Sequence, residues 1–380
     1  MKILHLIKTT QGAAWALKEV EQLVKLGCEV CVILPDNLGH AKSYQDKGAN
    51  VHILNVDFAS LIKRPTLFLK NINEFRNILK GIQPDIVHSH FVGTTLFMRI
   101  AMFGLSIKKV FQVPGPLHLE KSLTRNLEIK LANQYDYWIP TCNLTEKIYL
   151  NCGINQNRMM STFYGTDTSI YNSKDEGLLR KEFHIPQDIQ IVGMVAYAYA
   201  PKKWLGQSRG LKGHEDLIDA MALIIQQNPK VKCVVIGGAW VGADCYFQSI
   251  VEYGKTKLGD HVIFLGTRKD VPDLYPDIDV VVHPSHSENL GGAAESLLMA
   301  IPTIATNIGG FPDIVKPGET GWLVPKQDPE ALAVAILDAL SDTERAHKMA
   351  QEGARQLKQS LDVQKTSKDV FDFYNKIRVS

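Results

Sequence analysis

The sequence predicts an α/β protein made of two Rossmann-like domains facing each other across a cleft. Three observations carry this expectation. At 380 residues the chain is longer than one ordinary core requires. Short apolar runs without strict alternation read as buried parallel strands: Lys2–Ile7, Val30–Leu34, Ile86–His88, Val110–Val113, Ile191–Val195, Val231–Ile236 and Val280–His283. Helical spacing lies between them, as in Leu17, Val20, Leu23 and Val24, and again in Leu217, Ile218, Met221, Ile224 and Ile225. The expected division is 1–185 for an N-terminal domain and 186–362 for a C-terminal one. A final helix over 363–380 should cross back onto the first.

In chain order, the first strand turns through Thr9–Ala14 into a helix that ends at Gly27. This opening has no Gly-x-Gly-x-x-Gly, and Asp36 is the one acid at the end of the second strand. A nicotinamide or flavin fingerprint is therefore absent. A further strand, Val51–Leu54, and a helix from Pro65 to Leu79 follow. Asp85 to His90 then ends a strand in polar residues. His88 reads as a satisfied strand histidine, and His90 stands open between a cleft and plain surface. Val110–Val113 runs into a proline-stiffened loop that carries His118, and Tyr137–Pro140 follows.

In the second half, Ile191–Val195 leads into a long loop, Ala196–Gly213. Lys212 with Arg209, Lys202 or Lys203 would place two cations beside a helix start, where they can hold a diphosphate as it leaves. The bland alternative is a solvated basic loop. Val262–Leu265 ends in Gly266-Thr267-Arg268. After Val280–His283, Pro284 stops the strand and Ser285–Leu290 forms a polar loop. Gly291-Gly292 opens a helix to about Ala300, and Pro302 starts the strand Thr303–Ala305. Two glycines at a helix start leave N–H groups bare, and the helix dipole favours an anion there. The loop lies at a strand's C-terminal edge, where open α/β sheets bind ligands. Helices start at Pro329, Thr343 and Val363.

Composition narrows the partners. Hydrophobic residues make up 45% and charged residues 22%, as in a soluble globular protein. No run of 18 apolar residues suggests a membrane span. The net charge is +2, and no nucleic-acid partner is expected. It is unevenly spread: 22 lysines and arginines stand against 16 acids up to Glu182, and 20 against 24 after it. The basic first half reads either as ordinary solvated surface or as attraction to an anionic acceptor or the inner membrane face. The six cysteines, including Cys28 and Cys31 of a Cys-x-x-Cys, read as buried free thiols. The expected location is the cytoplasm, with peripheral membrane contact as an option.

Pro284, Ser285, Glu288, Gly291, Glu295, Ala300 and Pro302 resemble the donor-sugar signature of the retaining, two-domain GT-B glycosyltransferases of the family 4 type. Two positions depart from it. Six residues separate the glutamates where the family has seven, and Leu290 stands at the aromatic position. A gap placed differently would put Ser287 at the first glutamate. The resemblance continues in Asp85-x-x-His88-x-His90, in Lys212-Gly213 and in Gly318–Val324. The family's arginine after the first strand of the second domain is missing, as is its histidine at the end of Val110–Val113. Arg209 and His118 are the candidates to replace them.

The resemblance implies transfer of a sugar from a UDP- or GDP-sugar to an acceptor hydroxyl, with retention, in polysaccharide or glycoconjugate synthesis. No cofactor or metal is implied, and no Asp-x-Asp sequence is read as a metal motif. Catalysis would fall to Glu288, His118, Lys212 and Arg209. The donor would meet Gly12, Lys212, Arg209, Arg268, Glu288, Asn289, Leu290, Gly291, Gly292 and Glu295. His90 and His118 would face a carbohydrate or lipid-linked acceptor. Glu295 would take ribose hydroxyls and Glu288 sugar hydroxyls or growing positive charge. Two other readings remain at this stage, an inactive sugar-nucleotide binder and a sugar-nucleotide epimerase.

Overall fold

The computed structural model describes residues 1–171, 177–202 and 206–379. The chain divides into two compact units, Met1–Asp167 with Ser360–Ser380, and Thr168–Gln359.

The first unit holds a six-stranded parallel sheet of β1 (Lys2–Leu6), β2 (Glu29–Leu34), β3 (Asn50–Ile53), β4 (Ile86–Ser89), β5 (Lys108–Val113) and β6 (Asp136–Pro140), in the order β3-β2-β1-β4-β5-β6. A parallel sheet needs both faces covered. Successive residues of a strand supply alternate faces. Ile3, Val30, Val32, Ile86 and Val110 pack with Leu23, Val370, Phe373 and Tyr374 from helices Ala14–Lys25 and Val363–Arg378. Leu4, Leu6, Ile33 and Val87 face the other way, onto Phe75 and Leu79 of helix Pro65–Ile82 and Phe97 and Met98 of helix Val92–Ala101. Helix Val92–Ala101 is not anticipated from the sequence. It is buried nearly all round, so it has no polar face to give a period.

The second unit repeats the plan. Its strands are β7 (Gln190–Val195), β8 (Val231–Ile236), β9 (Val262–Gly266), β10 (Val280–His283), β11 (Thr303–Thr306) and β12 (Trp322–Val324), in the order β12-β11-β10-β7-β8-β9. Val192, Met194, Val235 and Val282 pack beneath helices His214–Gln227, Asp244–Leu258 and Pro329–Ser341. Ile191, Val234, Ile236 and Val281 pack with Leu179, Leu274 and Tyr275 on the opposite face. The short helix Leu178–Glu182 therefore belongs to this core. Asp277 Oδ2 accepts from the Leu179 and Arg180 amides at 2.7 and 3.0 Å. The expected boundary near Ile185-Pro186 lies inside the second unit, after that helix. The two sheets agree with the α/β, two-domain expectation, in Rossmann strand order.

A buried ion network fixes one edge of the first unit. Arg99 donates to Asp136 Oδ1 and Glu128 Oε1, each at 2.6 Å, and Trp138 Nε1 donates to the same Glu128 oxygen at 3.1 Å. Lys109 lies 3.4 Å from Asp136. These contacts hold helix Ser122–Lys130, and with it the turn Pro116–His118, whose carbonyl at His118 accepts from Thr124. Arg99→Ala would leave two buried carboxylates without their main cation. We expect it to destabilise the first unit by about 3–5 kcal/mol, read as an earlier urea transition. A loss below about 1 kcal/mol would show that the network is solvated.

Candidate functional site

At the C-terminal ends of β7, β8 and β9 lies a pocket of about 280 Å³, lined by Tyr197, Tyr199, Lys212, Arg268, Gly292 and Glu295 among others. This is the edge at which open α/β sheets bind ligands. Gly237 and Thr267 also line the pocket.

Glycines set how closely its loops approach. Gly213 has φ +73°, and a Cβ there would stand 2.0 Å from the Pro284 carbonyl oxygen. That fixes Lys212 beside the end of β10. The His286 amide donates to the Leu211 carbonyl at 2.8 Å, and its ring meets Asp216 at 2.5 Å, which laces the loop after β10 to the Lys212 loop and to the helix that follows it. Gly309, at φ +56°, passes so near Glu288 that a Cβ would stand 1.6 Å from the Glu288 carbonyl oxygen. The Gly310 amide donates to the Asn289 carbonyl at 3.2 Å. Gly292 packs on β7 and β10: a Cβ there would be 2.9 Å from the His283 ring and 3.1 Å from the Val195 carbonyl oxygen. Burial pulls the His283 imidazole down to about 3, so it stays neutral beneath the helix Gly291–Leu298 and pairs with Ser296 Oγ at 3.0 Å.

The cations divide clearly. Lys212 pairs with Glu288 and lies 5.7 Å over the Tyr199 ring. Tyr199 in turn stacks on Trp240, with ring centroids 5.2 Å apart. Arg268 lines the pocket while paired to Glu182 at 2.7 Å and Asp270 at 2.6 Å. Arg209 is not among the lining residues. Its guanidinium is held by Asp216 at 2.5 Å and Asp219 at 2.7 Å, two carboxylates on one face of helix His214–Gln227. Lys202 is exposed, and Lys203 lies outside the described residues.

The structure thus gathers Lys212, Arg268, Gly292 and Glu295 around one pocket, and joins Glu288 to it through Lys212. Gly291 takes φ +45° against the Glu288 carboxylate. Leu290 is buried, and the Asn289 amide donates to Glu288 Oε1 at 3.0 Å. The remaining candidates belong to the first unit. His90 is wholly buried rather than at a surface, 2.8 Å from His5 and 3.1 Å from the Tyr164 hydroxyl. His118 is tucked 5.6 Å from the Phe111 ring, and burial pulls it down to about 4. Gly12 is exposed at φ +76°, in the turn before helix Ala14–Lys25.

The sequence does hold one Asp-x-Asp, Asp277-Ile278-Asp279, and its carboxylates are structural. Asp277 caps helix Leu178–Glu182, and Asp279 accepts from the Ile191 amide at 2.7 Å and pairs with Arg180 at 3.2 Å. Both precede β10, at the sheet edge opposite the pocket. Sequence reasoning missed Tyr197 and Tyr199 as lining residues. Their spacing of two, directly after a buried strand, is the signal that continues the strand's alternation into the loop.

The Gly309 contact gives a direct test. Gly309→Ala adds a backbone clash to a left-handed conformation, whereas Gly318→Ala, at φ +75° with open space around it, adds only the conformational cost. Gly318→Ala should lose about 1 kcal/mol of second-unit stability, and Gly309→Ala at least about 2 kcal/mol. Equal losses in denaturant titration would mean that the Glu288 loop yields freely.

Comparison with known proteins fits this geometry. Residues 13–169 match the family model "Glycosyltransferase Family 4", and residues 205–356 match "Glycosyl transferases group 1". The capsular polysaccharide biosynthesis glycosyltransferase CapM of Staphylococcus aureus is 24% identical over 98% of this chain and 97% of its own. Spore coat protein SA of Bacillus subtilis is 30% identical, over 46% of this chain and only 48% of its own length. Among solved structures, Anabaena HepE in complex with UDP superposes with a TM-score of 0.79 at 22% identity, covering 98% of this chain and 99% of that one. Sucrose-phosphate synthase from Thermosynechococcus elongatus gives 0.79 at 19% identity over the full length of both. With both family models matched in order and a GT-B fold beneath them, the chain belongs to the GT-B glycosyltransferases of the family 4 type.

Proposed function

We propose that this glycosyltransferase moves a sugar from a UDP- or GDP-sugar to an acceptor hydroxyl, with retention at the anomeric carbon and without a metal. The acceptor is a carbohydrate or a lipid-linked molecule in polysaccharide or glycoconjugate synthesis. The carrying observation is the pocket in which Lys212, the glycine helix start and Glu295 converge at the sheet's C-terminal edge. The name of CapM supports the pathway class, and HepE complexes with UDP and UDP-glucose support the donor class. Neither an inactive binder nor an epimerase is favoured.

As the bond from the anomeric carbon to the diphosphate breaks, negative charge grows on the leaving group. Lys212 and the N–H groups of Gly291 and Gly292 would meet it. Glu288 now neutralises Lys212. An entering diphosphate would compete for that ammonium, leaving Glu288 to accept hydrogen bonds from the sugar or to face growing positive charge. Glu295 would take ribose hydroxyls. Arg268, already carrying two carboxylates, would assist through what charge remains unpaired.

Thermal shift against UDP, GDP and their sugars, followed by product analysis, tests the whole reading. Stabilisation by none of them would end it, and donor turnover without acceptor would favour an epimerase. Lys212→Ala should lower kcat/KM at least ~100-fold. Glu288→Gln should cut turnover more than nucleotide affinity, and Glu295→Gln should cut both, because ribose contacts exist in ground and transition states alike. The opposite pattern would exchange the two roles.

A lipid-linked acceptor would bring the protein to a membrane. No helix of the described residues is long and apolar enough to cross one. Helix Ser122–Lys130 instead exposes Leu123 (80%) and Leu127 (42%), one turn apart, beside exposed Lys121 and Lys130. That face suits an anionic lipid surface. Leu123→Glu should reduce co-sedimentation with phosphatidylglycerol vesicles at least ~5-fold while leaving nucleotide binding unchanged. Equal sedimentation of wild type and variant would remove this face from the contact.

A further inference from the structure

His5, Glu19, His88 and His90 meet inside the first unit, and the transfer reading gives them no step. His5 on β1 and His88 on β4 are paired neighbours across the parallel ladder. His90 follows His88 by two residues and so keeps to the same face. Glu19 reaches that face from helix Ala14–Lys25. None of the four is more than 4% exposed, and their ligating atoms all lie within 4.8 Å of one another.

Hydrogen bonding around the cluster turns lone pairs inward. The Tyr164 hydroxyl donates to the Gln112 carbonyl at 3.1 Å, so in its 3.1 Å contact with His90 it accepts from Nδ1–H. His90 Nε2 then carries a lone pair, 2.8 Å from His5 Nδ1. His88 Nδ1 meets the Tyr374 hydroxyl and lies 3.9 Å from Glu19 Oε1. Glu19 Oε1, His5 Nε2 and His88 Nε2 have no hydrogen-bond partner among the described residues. Buried polar atoms without partners are costly, and one ion among them would satisfy all three.

We propose that these four side chains bind one divalent transition-metal ion of the zinc type, as a closed site in the interior of the first unit. Imidazole and carboxylate are the ligands that suit such an ion. Tetrahedral zinc holds its ligands at about 2.0–2.1 Å, which sets them about 3.4 Å apart. The ligating atoms lie within 4.8 Å of one another, so closing by roughly an ångström completes the shell. Three histidines and a glutamate fill all four positions and leave none for a reacting water, which makes the ion structural. Tyr164 and Tyr374 are the outer hydrogen-bond partners that fix ring orientation. The ion would tie β1, β4 and helix Ala14–Lys25 together, with helix Val363–Arg378 held through Tyr374. The proposal rests on nothing in the second-unit pocket.

Because the cluster is buried, the ion enters as the unit folds. The full chain is unfolded in guanidinium with chelator and refolded with or without Zn²⁺. Loose metal is then removed by gel filtration, and zinc is measured by elemental analysis. About one zinc per folded chain is expected, with a raised midpoint of first-unit unfolding. Refolding with Co²⁺ should give the visible absorption of a tetrahedral N/O site. Tyr374→Phe should lower zinc affinity by roughly 10–100-fold, and Glu19→Gln with His90→Gln should abolish stoichiometric binding. Native circular dichroism with less than about 0.1 zinc per wild-type chain would overturn the proposal, whatever the variants do. So would undiminished zinc in the folded double variant. UDP affinity serves as an independent readout of the second unit.

Discussion

Everything in this protein follows from burying parallel sheets on both faces. Strands hydrogen-bonded in parallel cannot be joined by tight turns, so helices must carry the chain back across each face. In the second unit this leaves the C-terminal edge as the place where loops accumulate. Lys212, Arg268 and the helix start at Gly291 reach one pocket because each follows a strand of the same sheet. Their convergence is a consequence of topology before it is one of chemistry.

Within that edge, close approach does the positioning. Three loops cross near Glu288, and at Gly213 and Gly309 a side chain would collide with the neighbouring segment's backbone. The close loops fix where the charged residues start, and side-chain partners hold their ends. Lys212 is held between Glu288 and the Tyr199 ring, and Arg268 between two carboxylates. Such preorganised charges lose little in reorientation when an anion arrives.

The sheets were legible in the sequence because buried strands are continuous apolar runs, and the convergence of Lys212 and Glu295 on one pocket because glycine and helix-start signals flank them. Groups whose role depends on partners from distant elements were not legible. Arg209 reads as a phosphate ligand from its loop alone, and the structure shows it paired to Asp216 and Asp219, which share one face of the helix that follows. Asp277-Ile278-Asp279 contributes caps and strand contacts, which no local pattern announces. His5 and Glu19 carry no local signal, because only strand register and helix packing bring them to His88 and His90. The early start of the second unit was hidden in a five-residue helix, Leu178–Glu182, too short to show a period.

The first unit is discontinuous in the chain: Val370, Phe373 and Tyr374, which cover one face of its sheet, are encoded after all of the second unit. On the ribosome, the strands from β1 to β6 emerge first yet lack that cover. The second unit, whose core is drawn from one uninterrupted segment, can close while the first still exposes Ile3, Val30 and Val110. That sheet's cover can be completed only after the second unit has been synthesised, and until then its apolar face is surface that chaperones would have to shield.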